Sequence, residues 1–508
     1  MLAAALVAAA AAAPLIQLLT RVSAGGAEAA ASALLRPRTA DLLANTLALT
    51  ATVSVLTLAL GIGLATAAVR VRLPGRRLWW IALCLPLAVP SYVGAFAWTA
   101  TWPTVDGFWP LVIVLTLCTV PYVTLPAMAA LSTLDDGLVD VARTLGRGRV
   151  RVYTTVVLPH VLPAAGAGAL LVALYALSDF GAPAILRYET LTTGVYAQFS
   201  SGFDRTLAAT TALLLAAVAV LCVAGERLLR PREARTRSTA SARPAAELGR
   251  AGTAATAAAI AAVSAAGVLF PVVALGLRML RSDRYASAPV DLAEALGTTV
   301  GVSALAATVA VAVALPVSIL AARYRGALAT GLESVSYLGH ALPGVVVALA
   351  LVTLSLQFFP GAYQSILVLL VAYGILFLPK SIGASRAAIA QVPEELEETS
   401  RTLGRGPVRT WLRVTLPGAL PGILAGWVLV ATAVAKELPA TLMLRPIGFE
   451  TLATELWSKT SLGAYGAAAP IGVLLIVAGI APALFLARGL ERRRTTAGAT
   501  VLSGRMDP

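Results

Sequence analysis

Twelve runs of mostly apolar residues, separated by stretches too short to fold alone, dominate this chain of 508 residues. The first six cover residues 2–19, 42–69, 78–100, 108–130, 161–177 and 207–224. The others cover residues 254–277, 292–322, 335–358, 366–378, 420–435 and 467–487. A bilayer core asks for about 20 apolar residues per helix. The runs at Ile366 and Leu420 are short, and their small and apolar flanks are expected to lengthen them. Only 13% of residues are charged, against about 25% in a soluble domain, so much of the surface has to face lipid. The expected fold is an all-α polytopic membrane protein with about twelve transmembrane helices.

The formal net charge of +14 reads as topology rather than nucleic-acid binding. No basic patch is interleaved with aromatic residues, and Lys and Arg collect in cytoplasmic loops. With the N-terminus placed inside, 28 of the 39 Lys and Arg fall in cytoplasmic segments. These are Arg70, Arg72, Arg76 and Arg77, four from Arg143 to Arg151, and seven from Arg227 to Arg250. Arg323 and Arg325, six from Lys380 to Arg413, and five from Arg488 to Arg505 complete the set. Both termini are therefore expected inside. Trp98, Trp102 and Trp109 bracket one outer loop, and Trp79 and Trp80 mark an inner edge. The first run lacks a basic leader, and a comparable run precedes the second series, so it is read as a retained span. Cys84, Cys118 and Cys222 each sit in an apolar run and read as small buried hydrophobes.

Sliding the chain by 258 residues uncovers an internal repeat. Residues 138–163 read LVDVARTLGRGRVRVYTTVVLPHVLP, and residues 396–421 read LEETSRTLGRGPVRTWLRVTLPGALP; fourteen of the 26 positions are identical. At the same offset Pro121 answers Pro379, Asp179 answers Glu437, and Arg187 answers Arg445. Glu189-Thr190-Leu191 matches Glu450-Thr451-Leu452 with a small gap. Earlier, Asn45-Thr46 answers Thr298-Thr299, and Pro90 answers Pro343. Six spans is an even number, so the two copies share one orientation and a pseudo-two-fold axis lies along the membrane normal. The expected layout is two tandem six-helix units, residues 1–225 and 251–490. A cytoplasmic linker spans 226–250 and a tail spans 491–508.

The repeated cytoplasmic segments, about 135–163 and 393–421, carry the most information. Pro393 suits a first helical turn, and Glu394, Glu395, Glu397 and Glu398 complement the helix dipole. Gly404 can supply the left-handed residue that ends the helix; Arg405 and Arg409 follow, and Pro417 and Pro421 open the next span. Copy one repeats this with Asp135, Asp136, Asp140, Gly146, Arg147, Arg151, Pro159 and Pro163. A short amphipathic helix between two spans can pass force from a soluble partner to the membrane.

This segment resembles the EAA loop of the permeases of binding-protein-dependent ABC importers, in which Glu-Ala-Ala is followed three residues later by Gly. At that spacing Asp140-Val141-Ala142 precede Gly146, and Glu398-Thr399-Ser400 precede Gly404. Copy one has Asp for Glu, and copy two has Thr-Ser for Ala-Ala. The resemblance implies two copies of an ATP-binding subunit at the cytoplasmic face, docked through Asp140, Ala142, Gly146, Arg147, Glu398, Ser400, Gly404 and Arg405. It also implies an exported substrate-binding protein outside, a bacterial cytoplasmic membrane as the location, and ATP and Mg on the partner ATPase. This chain is expected to bind no cofactor and to be no enzyme. A narrower resemblance, to fused iron(III) permeases, rests on residues 178–183 (SDFGAP) and 436–441 (KELPAT), running on through Leu444-Arg445-Pro446 to Phe449-Glu450-Thr451-Leu452. Related permeases for thiamine, polyamines or phosphonates share parts of this pattern.

No GxxxxGK[ST] signature occurs, so nucleotide hydrolysis belongs elsewhere. His160 and His340 are too few for a His-based metal cage, and no ligand cluster suited to a hard cation is legible in the spans. Asp179, Lys436 and Glu437 fall near outer ends of spans. With Arg187 and Arg445 they are candidates for binding-protein docking or for the pathway, set against plain interfacial anchoring. Pro86, Pro90, Pro316 and Pro343 interrupt spans and either line a path or kink helices. A secondary transporter with parallel repeats is the alternative of another class; it would favour ionisable residues at the bilayer midplane, which the runs lack. The sidedness reading makes a direct prediction. In a variant lacking native cysteines, Ser238→Cys will resist a membrane-impermeant thiol reagent in intact cells and react after lysis; ready labelling from outside would overturn it.

Overall fold

A computed structural model of the chain describes residues 2–201, 205–229, 249–281, 289–324, 326–480 and 483. Most of the joining segment, the basic tail, Arg325 and the side chain of His340 lie outside the described residues.

The chain opens with α1 (Leu2–Gly25), α2 (Pro37–Arg70), α3 (Arg76–Cys84), α4 (Ser91–Thr101) and α5 (Phe108–Thr133). It continues with α6 (Asp136–Thr144), α7 (Leu158–Ser178), α8 (Gly181–Ile185), α9 (Leu191–Ser201) and α10 (Arg205–Leu229). The second series holds α11 (Arg250–Ser264), α12 (Phe270–Leu280), α13 (Pro289–Arg323), α14 (Ala327–Ser336), α15 (Gly344–Phe358) and α16 (Ile366–Ala390). It ends with α17 (Glu394–Thr402), α18 (Leu416–Ala435), α19 (Pro439–Leu444), α20 (Leu452–Ser461) and α21 (Tyr465–Ile480).

Among the described residues nine helices are long and apolar enough to cross a bilayer. The bent pair α3–α4 and the shorter apolar α15 and α21 account for the remaining runs. The two short runs do lengthen, into the 25 residues of α16 and the continuous helix Pro407–Ala435. One correction follows. Lys380 and Arg386, counted above with the cytoplasmic loop, lie within α16, where Arg386 pairs with Glu333 of α14.

Prolines set the breaks. The run at 78–100 is bent by 85° between α3 and α4. Val89 is extended ahead of Pro90, which caps α4, and Leu342 is extended ahead of Pro343, which caps α15. A residue preceding proline is driven out of the helical region, so both matched prolines start new helices rather than kinking old ones. Elsewhere a widened π-turn absorbs the ring: Tyr153–Val157 before Pro159, Trp411–Thr415 before Pro417 and Ala265–Leu269 before Pro271. Proline's missing N–H and its clash with the carbonyl four residues back explain the widening.

Two compact bodies form. One comprises Met1–Leu43, Thr190–Val220 and Asp283–Ile471; the other comprises Ala44–Glu189, Leu221–Ser282 and Gly472–Pro508. These bodies cut across the sequence halves: the leading helices of each half, and Thr190–Val220 of the first, group with helices of the other half. In the first body Leu18 of α1 joins the core of Val345–Val352 and Tyr373, and Gln17 donates to Gln357 at 3.0 Å. In the second, Ile260 of α11 joins the core around Val123 and Val172, Ser264 donates to the Ala82 carbonyl at 3.0 Å, and Phe270 stacks on Trp102 at 5.3 Å.

Each body is built on a central helix, α5 or α16, buried over 72% and 56% of its apolar window, against 28% for Pro407–Ala435. Small residues let neighbours close on it. Gly422 and Gly426 of α18 face Ala388 and Ala384 so tightly that an added Cβ would stand 2.5–2.6 Å from their methyl groups. At the equivalent Gly168 of α7, a Cβ would stand 2.4 Å from the Tyr122 carbonyl oxygen.

Candidate functional site

The two short helices α6 and α17, in the segments read above as cytoplasmic, end in one and the same cap. Gly146 has φ 77° and Gly404 φ 78°. The Gly146 N–H donates to Arg143 O and the Arg147 N–H to Ala142 O; Gly404 and Arg405 repeat this to Arg401 O and Ser400 O. These are the paired bonds of a Schellman cap. Nothing lies within 4 Å of a Cβ added at either glycine, so the requirement for glycine is conformational and not steric. At the other end the Asp135 carboxylate accepts from the Gly137 N–H at 2.9 Å, an N-cap that Pro393 replaces in α17.

The inner face differs in chemistry between the copies. In α6 Val139 and Ala142 are buried, with Val152 and Val157 beneath them, all in the core of the second body. At the same offset of 258, the positions in copy two are Glu397, Ser400, Thr410 and Thr415, likewise buried. Ser400 and Thr410 share a hydrogen bond of 3.0 Å, and Thr415 Oγ1 donates to Glu397 Oε1 at 2.8 Å. An apolar contact in one copy has become a hydrogen-bonded one in the other.

An arginine at the end of the long preceding helix ties each loop down. Arg323, in the last turn of α13, donates through Nε and Nη2 to Glu397 Oε1 at 3.1 and 2.8 Å, and through Nη2 to Val392 O at 3.0 Å. Arg70, in the last turn of α2, pairs with Asp136 of α6. Sequence reading missed both roles. The signal was present, since the shift of 253 that aligns Asn45-Thr46 with Thr298-Thr299 also aligns Arg70 with Arg323.

The expected docking residues therefore separate. Glu398, Gly404, Arg405, Gly146 and Arg147 are exposed and Asp140 is half-buried, whereas Ala142 and Ser400 point into their own body. The outward stripe is apolar instead. Leu138, Leu145 and Val150 are 56%, 71% and 78% exposed, and their equivalents Leu396, Leu403 and Val408 are 52%, 72% and 69% exposed. Exposed apolar side chains gathered on and just beyond so short a helix are the kind of surface feature that marks an interaction site.

The outer candidates behave differently again. Asp179 follows α7, is buried, and accepts from the Ala182 N–H at 3.1 Å, anchoring α8. Glu437 anchors α19 more fully. Its Oε1 accepts from Ala440 N at 3.0 Å, and its Oε2 accepts from Thr441 N at 2.9 Å and Thr441 Oγ1 at 2.7 Å. The longer acid fits because Gly344 faces it, where a Cβ would stand 2.8 Å from Oε1; Ser91 occupies the matching place opposite Asp179. Arg445 closes its own loop, bonding Phe449 O, Thr454 Oγ1 and Glu450. Arg187, at φ 53°, is exposed with Asp106 at 3.8 Å. The two arginines are thus not structural equivalents. Lys436 is half-buried at the end of α18. The matched Glu-Thr-Leu segments are tied to the long helices: Asn45 Nδ2 donates to Glu189 O at 3.1 Å, and Leu452 N donates to Thr299 Oγ1 at 2.8 Å. Among the described residues no three His, Cys, Asp or Glu side chains gather as a metal site.

Two helical copies, each presenting a short capped helix between apolar spans, are the pattern of a transport permease. The family described as the binding-protein-dependent transport system inner membrane component matches residues 47–238 and 314–496, and the chain belongs to it. Across nearly its whole length the chain is similar to the Fe(3+)-transport system permease protein FbpB 2 of Haemophilus influenzae. The two are 32% identical over 472 residues, which is 91% of this chain and 93% of that one. It is also similar, at 30% identity over 191 residues, to the molybdenum transport system permease protein ModB of Mycobacterium tuberculosis, covering 35% of this chain and 72% of that protein.

The Arg323–Glu397 tie yields a stability prediction. Removing one partner of a buried pair strands a charge and costs about 3 kcal/mol or more. Arg323→Met will lower the unfolding temperature in detergent, and Arg323→Met with Glu397→Val, the residue of copy one, will recover most of the loss. Equal losses in the single and double variants would contradict the tie.

Proposed function

We propose that this permease is the translocation subunit of an iron(III) importer, driven by a separate ATPase and fed by an exported binding protein. The observation that carries the substrate is end-to-end similarity, over both repeats, to an iron(III) permease; the similarity to the molybdenum permease covers about a third of the chain. Both termini face the cytoplasm in this reading, as the distribution of Lys and Arg requires.

In this reading one ATPase subunit docks on each of α6 and α17. Leu138, Leu145 and Val150, and Leu396, Leu403 and Val408, enter the partner's groove, where burying apolar area stabilises the contact by about 25 cal/mol per Å². Asp140, Arg147, Glu398 and Arg405 line the polar rim, and Gly146 and Gly404 fix the turn that aims each helix. When the ATPase subunits close, each helix moves with its arginine and carries α2 or α13 along. Hydrolysis is the partner's chemistry, with ATP and Mg bound there. On the outer side Asp179, Arg187, Lys436, Glu437 and Arg445 hold or border the segments that meet the binding protein.

Replacing both Gly146 and Gly404 by Val places β-branched residues at positive φ, which costs about 1 kcal/mol or more at each site. The double variant will insert normally and lose binding-protein-stimulated ATP hydrolysis by the reconstituted complex. Stimulation at the wild-type level would show that the loops are mere connectors.

A further inference from the structure

Aligned on their matched Leu-Arg and Glu-Thr-Leu residues, the outer loops of the two repeats differ by an insertion. Residues 186–191 read LRYETL and residues 444–452 read LRPIGFETL. With Tyr188 set against Phe449, the added residues are Pro446, Ile447 and Gly448. They build a turn. The Phe449 N–H donates to Pro446 O at 3.1 Å, and Gly448, in the third position, has φ 77°. A type II turn requires that left-handed value there, which favours glycine. The turn is clamped from its base. Arg445 Nη1 donates to Phe449 O at 3.2 Å and to Thr454 Oγ1 at 3.3 Å, and its guanidinium pairs with Glu450. Thr454 Oγ1 donates to Glu450 Oε2 at 2.9 Å, so arginine, acid and hydroxyl close one network. Phe449 packs against the core of the first body. The first repeat has no inserted turn to clamp, and its Arg187 is exposed, with Asp106 at 3.8 Å.

At the tip stands Ile447, which is 89% exposed; among the described residues no large apolar side chain is more open. A single exposed hydrophobe is ordinary on a protein surface. This one is set apart by what is built under it. The second position of a type II turn accepts most residues, so the backbone does not ask for isoleucine. A β-branched side chain on a clamped turn has few conformations left to lose when it is buried. Stiffness and apolar exposure together suit the anchor residue of an interface.

We infer that Ile447 is an anchor for the exported binding protein: the turn Pro446–Phe449 presents it to an apolar recess on that partner, and Arg445 is the positioning residue that holds the turn. The inference rests on the binding-protein dependence proposed above and on the sidedness that puts residues 436–465 outside. It does not rest on the identity of the cargo. The family to which the chain belongs is described by its dependence on a binding protein, which supplies a protein partner for this side. Lipid is the poorer occupant. A turn set in hydrocarbon would take its exposed backbone groups away from water. The first repeat offers the same partner an exposed arginine and no apolar tip, so the two outer loops are not interchangeable.

The test uses the full permease with its ATPase in lipid nanodiscs, with the iron-loaded binding protein as the probe. Ile447→Asp will raise the dissociation constant of the binding protein about tenfold, a change of about 1.4 kcal/mol, chiefly through faster dissociation. Ile447→Leu will bind as the wild type does, since one hydrophobe replaces another. Deleting Pro446, Ile447 and Gly448, which gives this loop the length of its counterpart, will weaken binding as Ile447→Asp does. Arg445→Met will also weaken binding, and combined with Ile447→Asp it will add nothing further, because it acts through the tip. In a variant lacking native cysteines, a fluorophore on Ile447→Cys will respond to the binding protein and escape a quencher carried on lipid tails. Wild-type affinity in Ile447→Asp would overturn the anchor and leave the permease reading standing. Quenching from the lipid tails, with no response to the binding protein, would do the same. A wild-type complex that neither binds the binding protein nor hydrolyses ATP faster in its presence would overturn the binding-protein reading and this anchor with it.

Discussion

Arg323 ends the longest helix of the second repeat and directs its guanidinium onto α17 and the turn before it. A planar fork with several fixed donors holds both position and angle, which a single apolar contact does not. The end of α13 and α17 are thereby tied to each other. Arg70 makes the corresponding link from α6 to α2 through one carboxylate, Asp136, and leaves the rest of the interface to Val139, Ala142, Val152 and Val157. One loop is fastened by a buried hydrogen-bonded network and the other by packing. The two respond differently to perturbation. Packing tolerates exchange of one hydrophobe for another, whereas a network that loses one member strands the others.

The same contrast recurs on the outer side. Asp179 with Ser91, and Glu437 with Gly344, fill one design with different parts: a shorter acid beside a side chain, a longer acid beside none. Both acids anchor a short helix directly after a span, where backbone N–H groups would otherwise lack partners. What meets the acid has diverged: Ser91 stands by Asp179, whereas the Thr441 hydroxyl bonded to Glu437 is also bonded to the Tyr373 phenol at 2.8 Å.

Much of this was legible from residues alone. The apolar runs located, among the described residues, nine helices long and apolar enough to cross a bilayer, the bent pair and two shorter apolar helices, because bilayer thickness sets helix length. Gly146 and Gly404 gave the loop ends, because a left-handed cap after a short helix has few other solutions. Two things stayed hidden for physical reasons. The exchange of leading helices left little trace, since α1 and α11 are mostly apolar and polar residues such as Gln17 and Ser264 do not name, from sequence alone, the neighbours they meet. The inner face of the cytoplasmic helices was hidden because nine residues give barely two turns of periodicity, and the acid chosen from its motif position was not the buried one. Glu397, beside Glu398 in sequence, turned inward because Arg323 and Thr415 wait there.

In the proposed role the chain is a conduit that takes its cargo from a binding protein and its energy from an ATPase. The most direct test is uptake of iron(III) into vesicles that hold this chain and its ATPase with ATP available, measured with the binding protein supplied and withheld. Uptake that requires ATP and saturates with increasing iron-loaded binding protein is the predicted result. Saturable, ATP-driven uptake at full rate in the absence of the binding protein would contradict it.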